Sequence, residues 1–449
     1  MLLPPSDRLH PPEVVLEIAD RLERAGFETW CVGGAVRDAL LGRSHLDWDL
    51  ATAATPDDMR RVFGRRQTVP VGVEHGTVGV LDRYGGLHEV TTFRRDVRTD
   101  GRHAEVEFGA SLDEDLARRD FTINAIAYHP RRATLRDPYG GRHDLERGVV
   151  RAVGDPQARL REDRLRALRA IRFAGRFGFR IDPATWTAIV ASAPHLRRLS
   201  AERVKQELEK TMDQLPRPSA ALALWIESGA MAVLVPALKD VDASTLAAID
   251  CVLPPPGGVG PRTRARRLVR FAVLFSATTG EQAASSLGAL RFSKSETTAI
   301  SSIVQRWRNV GPPIERALLG GDPIGDIDVR RWVADIGRLN VPLVMRVGAA
   351  LWTSRAAAGD RTPTPDSTHS LYRRLLVSRF QDPLELADLA VDGDDLRRAG
   401  IPPGPELGKI LHALLDRVIR DPSLNTPGWL VEEAKQLYEG MTGGGSAAN

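Results

Sequence analysis

Apolar and polar positions change rhythm along this chain. Residues 13–26 set Val14, Val15, Ile18, Leu22 and Ala25 on one side of a helix, with Gly26 as its stop. "TWCVGGAV" reads as a short buried strand ending in a glycine turn, and "VRDALLG" as a helix closed by Gly42. "DWDLAT" reads as a second strand. "TPDDMRRVF" reads as a helix with Thr55 as N-cap and Pro56 at its first position. "GTVGVLD" and "HEVTTFR" alternate and predict a hairpin across "RYGG". From about residue 156 the period changes. Arg159–Arg176, Ala201–Met212 and Ser219–Gly229 read as amphipathic helices, and further helices are expected near 262–275, 281–290, 294–309, 328–337 and 340–353. "PPPGGVGP" at 254–261 and residues 357–369 read as linkers, a last helical segment runs to about 437, and "GGGSAAN" reads as a disordered tail. The expected class is α+β: a small mixed-sheet head followed by an all-helical remainder.

Composition narrows this only moderately. With 449 residues, about three domains are expected at roughly 150 residues each. Hydrophobic content of 42% and charged content of 27% are ordinary for a globular chain. No apolar run approaches the ~20 residues needed to span a bilayer, so no membrane association is expected. The opening "MLLPPSDRLHPPE" has no basic stretch followed by an apolar one, so no secretory signal is expected. Cys31 and Cys251 alone make neither a disulfide framework nor a zinc ligand set, and a reducing, cytoplasmic setting is expected. The net charge of +4 is small, but the basic residues are nearly all arginine, whose fork suits phosphates and base edges.

Two stretches carry chemistry. In the first, Gly33 and Gly34 follow a buried strand and open a helix, so their N–H groups can approach an anion, with Arg37 one turn further on. Asp47 and Asp49 follow at a spacing of two. On an extended strand both carboxylates share one face, a costly pairing unless a cation lies between them. That arrangement suits Mg²⁺, which takes one or two carboxylates and leaves room for substrate phosphates. Glu89, in the alternating strand "HEVTTF", is the candidate third carboxylate. A phosphate cradle next to such a pair fits metal-assisted nucleotidyl transfer.

The second stretch is residues 159–179, an arginine-rich helix with Leu165, Leu168, Ile171 and Ala174 on its apolar side. Asp163 and Arg166 are three apart and so neighbours on a helix. A carboxylate accepts from an exocyclic amino group and a guanidinium donates to a ring nitrogen. That matches cytosine and adenine, whereas uracil and guanine present the reverse pattern. The two residues are therefore either a C-or-A selector or an ion pair with each other.

"VGGAVRDALLG…DWDLAT", "TVPVGVEHGTVGV", "RRDFTINAIAY", "DPYGGRHDLERGVVRAVGDP" and "EDRLRALRAIRFAGRFGF" occur in this order. Together they resemble the successive motifs of the class II tRNA nucleotidyltransferases, the CCA-adding enzymes and their bacterial poly(A) polymerase relatives. "LSAERVKQELEKTM" at 199–212 is similar to the family's next helical motif, and residues 398–437 resemble its tRNA-binding tail. The resemblance implies Gly34 and Arg37 at the triphosphate and Asp47 and Asp49 at the metals. It implies Arg119 at the nucleotide, with Asp120 and Asn124 shaping that pocket. It implies Asp163 and Arg166 as base selector, and Arg169 and Arg172 at nucleotide phosphates. Residues 93–108 are similar to the flexible loop that lets such enzymes switch from C to A. The tail's Pro402–Gly408, Arg398, Lys409, Arg417 and Arg420 would contact tRNA. "RLVRFAVLFSATTGEQAASSLGALRFSKSE" lacks the His–Asp dyad of the phosphohydrolase domain that many bacterial relatives carry, and the "HD" at His143–Asp144 falls in the hinge motif. The implied organisation is a catalytic head at 1–155, a neck at 156–215, a helical body without that dyad at 216–365 and a tRNA-binding tail at 366–449. The implied activity is CCA addition to tRNA from CTP and ATP with Mg²⁺. Addition of the terminal A alone, or poly(A) synthesis, is the alternative.

Overall fold

In the computed structural model the described residues are 9–43, 47–99, 104–253 and 261–443. Contacts divide the chain into two compact units, Met1–Lys239 and Asp240–Asn449. The expected neck at 156–215 therefore belongs to the first unit.

The first unit runs α1 (Glu13–Arg24), β1 (Thr29–Val32), α2 (Gly34–Leu40), β2 (Asp49–Thr52), α3 (Pro56–Phe63), β3 (Thr68–Gly72), β4 (Thr77–Leu81) and β5 (Leu87–Thr92). It continues with β6 (Arg94–Thr99), β7 (Ala104–Phe108), α4 (Leu112–Ala117), β8 (Ala127–His129), β9 (Thr134–Arg136), α5 (Gly141–Arg147) and β10 (Val149–Val150). Then come α6 (Pro156–Glu162), α7 (Leu165–Phe177), β11 (Arg180–Ile181), α8 (Pro183–Ser192), α9 (Ala201–Gln214), α10 (Pro218–Glu227) and α11 (Ala230–Leu234).

Seven strands form one mixed sheet in the order β3-β4-β5-β2-β1-β8-β9. β2 and β5 pair in parallel, with Leu50 opposite Val90; β1 and β2 are antiparallel, with Val32 opposite Asp49. The α+β expectation holds. Burial explains the sheet's centre: all four residues of β1 are buried, as are the last three of β2. Trp30, Val32, Ala51, Phe93, Leu116 and Ala127 join one apolar cluster there. α1 buries Val15, Ile18 and Leu22 of the expected stripe together with Ala19, leaving Val14 half-buried and Ala25 exposed, and α3 buries Met59 and Phe63. Thr55 caps α3 as expected, accepting from the Asp58 N–H while the Asp58 carboxylate accepts from the Thr55 N–H. The β4–β5 hairpin also forms as read, with Val78 opposite Val90.

Three local readings change. Within the stretch expected as a flexible loop at 93–108, β6 and β7 pair as a two-stranded antiparallel ribbon; residues 100–103 lie outside the described residues. The helix expected over Arg159–Arg176 is broken: Asp163 is extended (φ −145°, ψ 105°), and α6 and α7 lie on either side. Its Oδ1 accepts the Leu165 N–H at 3.0 Å, a local side-chain bond that starts α7 and competes with helix continuation. A late strand, β11, pairs in parallel with β10.

The second unit is helical: α12 (Ala243–Asp250), α13 (Pro261–Leu274), α14 (Gly280–Ala289), α15 (Lys294–Gly320), α16 (Asp326–Ile336), α17 (Val341–Ala357), α18 (Pro365–Gln381), α19 (Gly393–Arg398), α20 (Pro405–Arg420) and α21 (Pro427–Gly443). Residues 254–260 of the first expected linker, and 444–449 of the expected tail, lie outside the described residues. The second expected linker is shorter than 357–369, because Thr364 caps a helix beginning at Pro365. α15 runs past its expected end near 309, through Pro312 and Pro313, while burying Trp307, Val310 and Ile314. Packing explains the persistence. Trp307 meets Trp352 edge-on at 5.5 Å, and a Cβ on Gly348 would lie 2.6 Å from the Trp307 ring. Tertiary contacts of that closeness outweigh the lost backbone bonds of two prolines. The end of the chain has its own apolar cluster, including Leu396, Ile410, Leu414, Val418 and Leu430. The basic residues expected to meet tRNA there are partly engaged: Arg398 pairs with Asp395, Arg417 with Glu433 and Arg420 with Asp416. No helix among the described residues is long and apolar enough to cross a membrane.

Candidate active site

A cavity of about 600 Å³ in the first unit gathers residues from every motif-bearing stretch. Gly33 comes from the β1–α2 turn, Gly34 and Arg37 from α2, Asp47 from the segment just before β2 and Asp49 from its first position. Arg118, Arg119, Asp120 and Asn124 follow α4, and Asp163, Arg166, Arg169 and Arg172 come from the α6–α7 break and α7. Arg203, Lys210 and Gln214 of α9 close it. The lining holds eight arginines and one lysine against four aspartates. Such an excess focuses positive potential where a triphosphate would sit.

β2 begins at Asp49, so Asp47 precedes the strand rather than lying in it, with buried Trp48 between them. The expected alternation survives: both aspartates line the cavity. Gly33 makes this approach possible. Its φ is +74°, and a Cβ there would lie 3.2 Å from Arg119 Nη1 and 3.7 Å from Asp49 Oδ2. Gly33→Ala is expected to cost about 1–3 kcal/mol through backbone strain and to displace Arg119. A lowered Tm and a fall in nucleotide affinity would show it; an alanine variant matching wild type in both would refute the close-approach account.

Glu89 is not among the lining residues. It sits on β5, exposed, one position before the Leu50–Val90 pair and hence level with Asp49. Among the described residues no cluster of three or more His, Cys, Asp or Glu forms a metal cage. The donors present are two carboxylates at one edge of a cationic cavity. Hard oxygen ligands in that number suit Mg²⁺, which completes its shell with substrate oxygens and water.

Arg37 lines the cavity, and its guanidinium is largely taken up by protein contacts. It is 3% exposed, and its nitrogens are already used. Nε donates to Asp38 Oδ1 at 2.8 Å, Nη2 lies 2.7 Å from the same oxygen, and Nη1 donates to Asn124 Oδ1 at 2.5 Å. Its guanidinium lies 5.0 and 4.8 Å from the centroids of Phe173 and Phe177, two rings stacked 6.0 Å apart. The chain of contacts continues: Asn124 Nδ2 donates to Asp120 Oδ1 at 2.8 Å, and Arg169 Nε donates to Asp120 Oδ2 at 2.8 Å. Arg37 thus ties α2 to α7 and to the Asp120–Asn124 turn. Burial lowers the Arg37 pKa and Asp38 opposes that fall, whereas the Asp120 charge raises the Arg169 pKa against burial. Burial pushes the Asp120 carboxyl up, but Arg169 and the Asn124 hydrogen bond outweigh it and hold the group below its ordinary range.

Arg119 donates through Nη2 to Asp115 Oδ2 at 3.0 Å, while its Nε is buried with no hydrogen-bond partner. Arg118 shares Asp115 through Nε and Nη2, at 3.0 and 2.8 Å from Oδ1.

Asp163 and Arg166 face the same cavity but are not each other's partner, which removes the ion-pair alternative. Arg166 Nη1 donates to Glu162 Oε2 at 2.9 Å and to the Arg159 carbonyl at 3.1 Å; Nη2 donates to the Arg118 carbonyl at 3.1 Å. Asp163 Oδ2 accepts from Arg203 Nη2 at 2.7 Å. Arg172 Nε donates to Glu207 Oε2 at 2.6 Å, both side chains being buried, and Lys210 Nζ lies 3.5 Å from Glu207 Oε1. Sequence reasoning missed Asp38, Asp115, Arg203, Glu207 and Lys210. A signal existed for the last three: their spacing of four and three puts a charged stripe on one side of α9, where a solvated helix needs no such order.

The Poly A polymerase head domain matches residues 29–151, and the "Probable RNA and SrmB- binding site of polymerase A" matches residues 178–241. The CCA-adding enzyme of Geobacillus thermodenitrificans is 44% identical over 235 residues, 52% of this chain and 57% of that protein, so the chain spans little more than half the length of that relative. The CCA-adding enzyme of Limosilactobacillus fermentum is 32% identical over 428 residues, covering 94% of this chain and 96% of that one. The crystal structure of the Bacillus stearothermophilus CCA-adding enzyme in complex with CTP superposes with a TM-score of 0.70 at 32% identity, covering 95% of this chain and 98% of that chain.

Proposed function

This chain belongs to the family of CCA-adding enzymes and poly(A) polymerases, and from that premise we propose that it completes tRNA 3′ ends with CCA, using CTP and ATP without a nucleic-acid template. One observation carries the reading: a single cavity holds the carboxylate pair Asp47 and Asp49 together with the base-edge pair Asp163 and Arg166, across a wall of arginines. A nucleoside triphosphate needs all three, for its reacting phosphate, its base and its charge.

The residues divide the work. Asp163 accepts the exocyclic amino hydrogen of C or A, and Arg166 donates to N3 of C or N1 of A. Arg119 and Arg169 neutralise the phosphates, Arg172, buried and held by Glu207, adds its charge from behind them, and Arg37 holds the Gly34 turn to α7. Asp47 and Asp49 would hold Mg²⁺, which when bound supplies positive charge to the α-phosphate and to the attacking oxygen. The tRNA 3′-hydroxyl gives up its proton to solvent, its oxygen bonds to the α-phosphorus, the bond from that phosphorus to the α,β-bridging oxygen breaks, and pyrophosphate leaves with the bridging oxygen. Glu89 stays a candidate third carboxylate on its register with Asp49. The rate would come chiefly from positioning and electrostatics. The setting proposed is cytoplasmic, where free thiols such as buried Cys31 and half-buried Cys251 persist.

The test is incubation of purified protein with tRNAs ending before CCA, after C and after CC, giving CTP and ATP separately and together. Full CCA addition is expected, with one A and no tail. Addition of A only to the CC-ending tRNA would establish an A-adding enzyme, and long A tracts a poly(A) polymerase. No addition to any of them would overturn the reading.

A further inference from the structure

We propose that the second unit holds a small-molecule site between α17 and α18, and that its ligand is an aromatic carboxylate, one or two planar rings carrying a single negative charge.

The site is a cavity of about 520 Å³. That lies inside the range of small-molecule pockets, roughly 300–1,000 Å³, which join apolar and aromatic walls to a few placed polar groups. Two helix faces build it. α17 contributes Met345, Arg346, Ala349 and Trp352, and α18 contributes Pro365 and Tyr372, each set at helical spacing. Among the described residues, Arg346 is the one arginine or lysine of the lining, and no aspartate or glutamate joins it.

Arg346 determines the ligand's charge. It is half-buried and pairs with no carboxylate among the described residues. Nη2 donates to the Leu253 carbonyl at 3.2 Å, which steadies the side chain and leaves Nε and Nη1 unspent. A guanidinium carries five donors in one plane, a fork that matches the two oxygens of a carboxylate. Burial pulls the Arg346 pKa down, and Tyr372 is near enough to oppose that fall. A cation left half-desolvated without a counter-ion favours an anion beside it.

The walls determine the ligand's shape. The rings of Trp352 and Tyr372 suit a flat partner, stacked with an offset or met edge-on. Trp352 is 2% exposed, and its Nε1 has no hydrogen-bond partner. Buried donors are nearly always satisfied, so an occupant with acceptor oxygens fits this wall better than a plain hydrocarbon. RNA fits less well. A nucleic-acid backbone is held by several cations in succession, and this cavity offers a single guanidinium.

The experiment is equilibrium dialysis of 2-naphthoate against the full-length protein, with binding followed to about 5 mM. A dissociation constant on the order of 100 µM is expected for a ligand of that size. 2-Naphthylmethanol, which keeps the rings and lacks the charge, should bind about tenfold more weakly or worse. Arg346→Met should weaken naphthoate by about tenfold; Arg346→Gln covers a methionine variant that does not fold, with a loss of at least about threefold expected. Ala349→Phe, or Ala349→Leu where the larger ring prevents folding, fills the cavity and should reduce binding by at least about tenfold. No binding of naphthoate to the wild type, or affinity unchanged in the folded Ala349 variant, overturns the site. Affinity unchanged in the folded Arg346 variant, or equal binding of the neutral alcohol, overturns the anionic class of ligand. Displacement of naphthoate by tRNA, with tRNA affinity falling about tenfold in the same Arg346 variant, would assign the cavity to RNA and overturn the proposal.

Discussion

Replacing Asp47 or Asp49 with alanine is expected to abolish nucleotidyl transfer, by on the order of a thousandfold or more in kcat, while tRNA binding stays within about twofold of wild type. The two carboxylates line the edge of a cavity whose other charges are mostly cationic. Removing either leaves a single carboxylate, which cannot retain a divalent ion against eight arginines. RNA affinity has a different source, in phosphate contacts that release counterions and weaken with salt. Single-turnover transfer with saturating Mg²⁺, alongside filter binding of tRNA, separates the two. Both variants keeping more than a few per cent of activity would be incompatible with this role, and chelation by EDTA should mimic the loss in wild type.

Glu207→Ala is expected to produce the largest loss of stability among single changes at this site. Arg172 is 4% exposed and Glu207 1%, with 2.6 Å between Nε and Oε2. Deleting one member of a buried ion pair strands the other charge, at a cost of about 3–5 kcal/mol. Burial already lowers the Arg172 pKa and Glu207 opposes that fall, so the arginine depends on this partner. A drop on the order of 10 °C in the Tm of the unit is expected. Glu207→Gln, which keeps the acceptor oxygen, should lose clearly less. A Tm within a degree or so of wild type in the alanine variant would mean that α7 and α9 are held by apolar packing alone, and the pair would then be dispensable.

Much of the fold follows from short-range pattern. The stripe of α1, the capping pair Thr55 and Asp58, and the β4–β5 hairpin each depend on residues within a few positions of one another, and each forms as read. The break at Asp163 was also written locally, in a side chain able to cap the next helix, but an unbroken apolar period across 159–179 conceals it. α15 misleads in the opposite direction. Its proline pair signals an end, and the buried Trp307 and Ile314 carry the helix through.

By itself the sequence singled out the residues proposed for the chemistry: Asp47, Asp49, Asp163 and Arg166 by spacing and Arg119 by motif order, and all five line one cavity. What only the tertiary structure decided is how those charges are paired. Asp163 answers to Arg203, forty residues away, and Arg37 to Asn124, eighty-seven away. Glu89 stands level with Asp49 only because β5 happens to be the parallel neighbour of β2, yet the cavity does not include it. The reason is physical. Helix and strand periods record which side of an element is apolar, but an arginine's period is the same whether it meets phosphate, a carboxylate or a stacked pair of rings. Which of these it meets depends on contacts that form only when distant segments are brought within a few ångströms, and no local pattern encodes them.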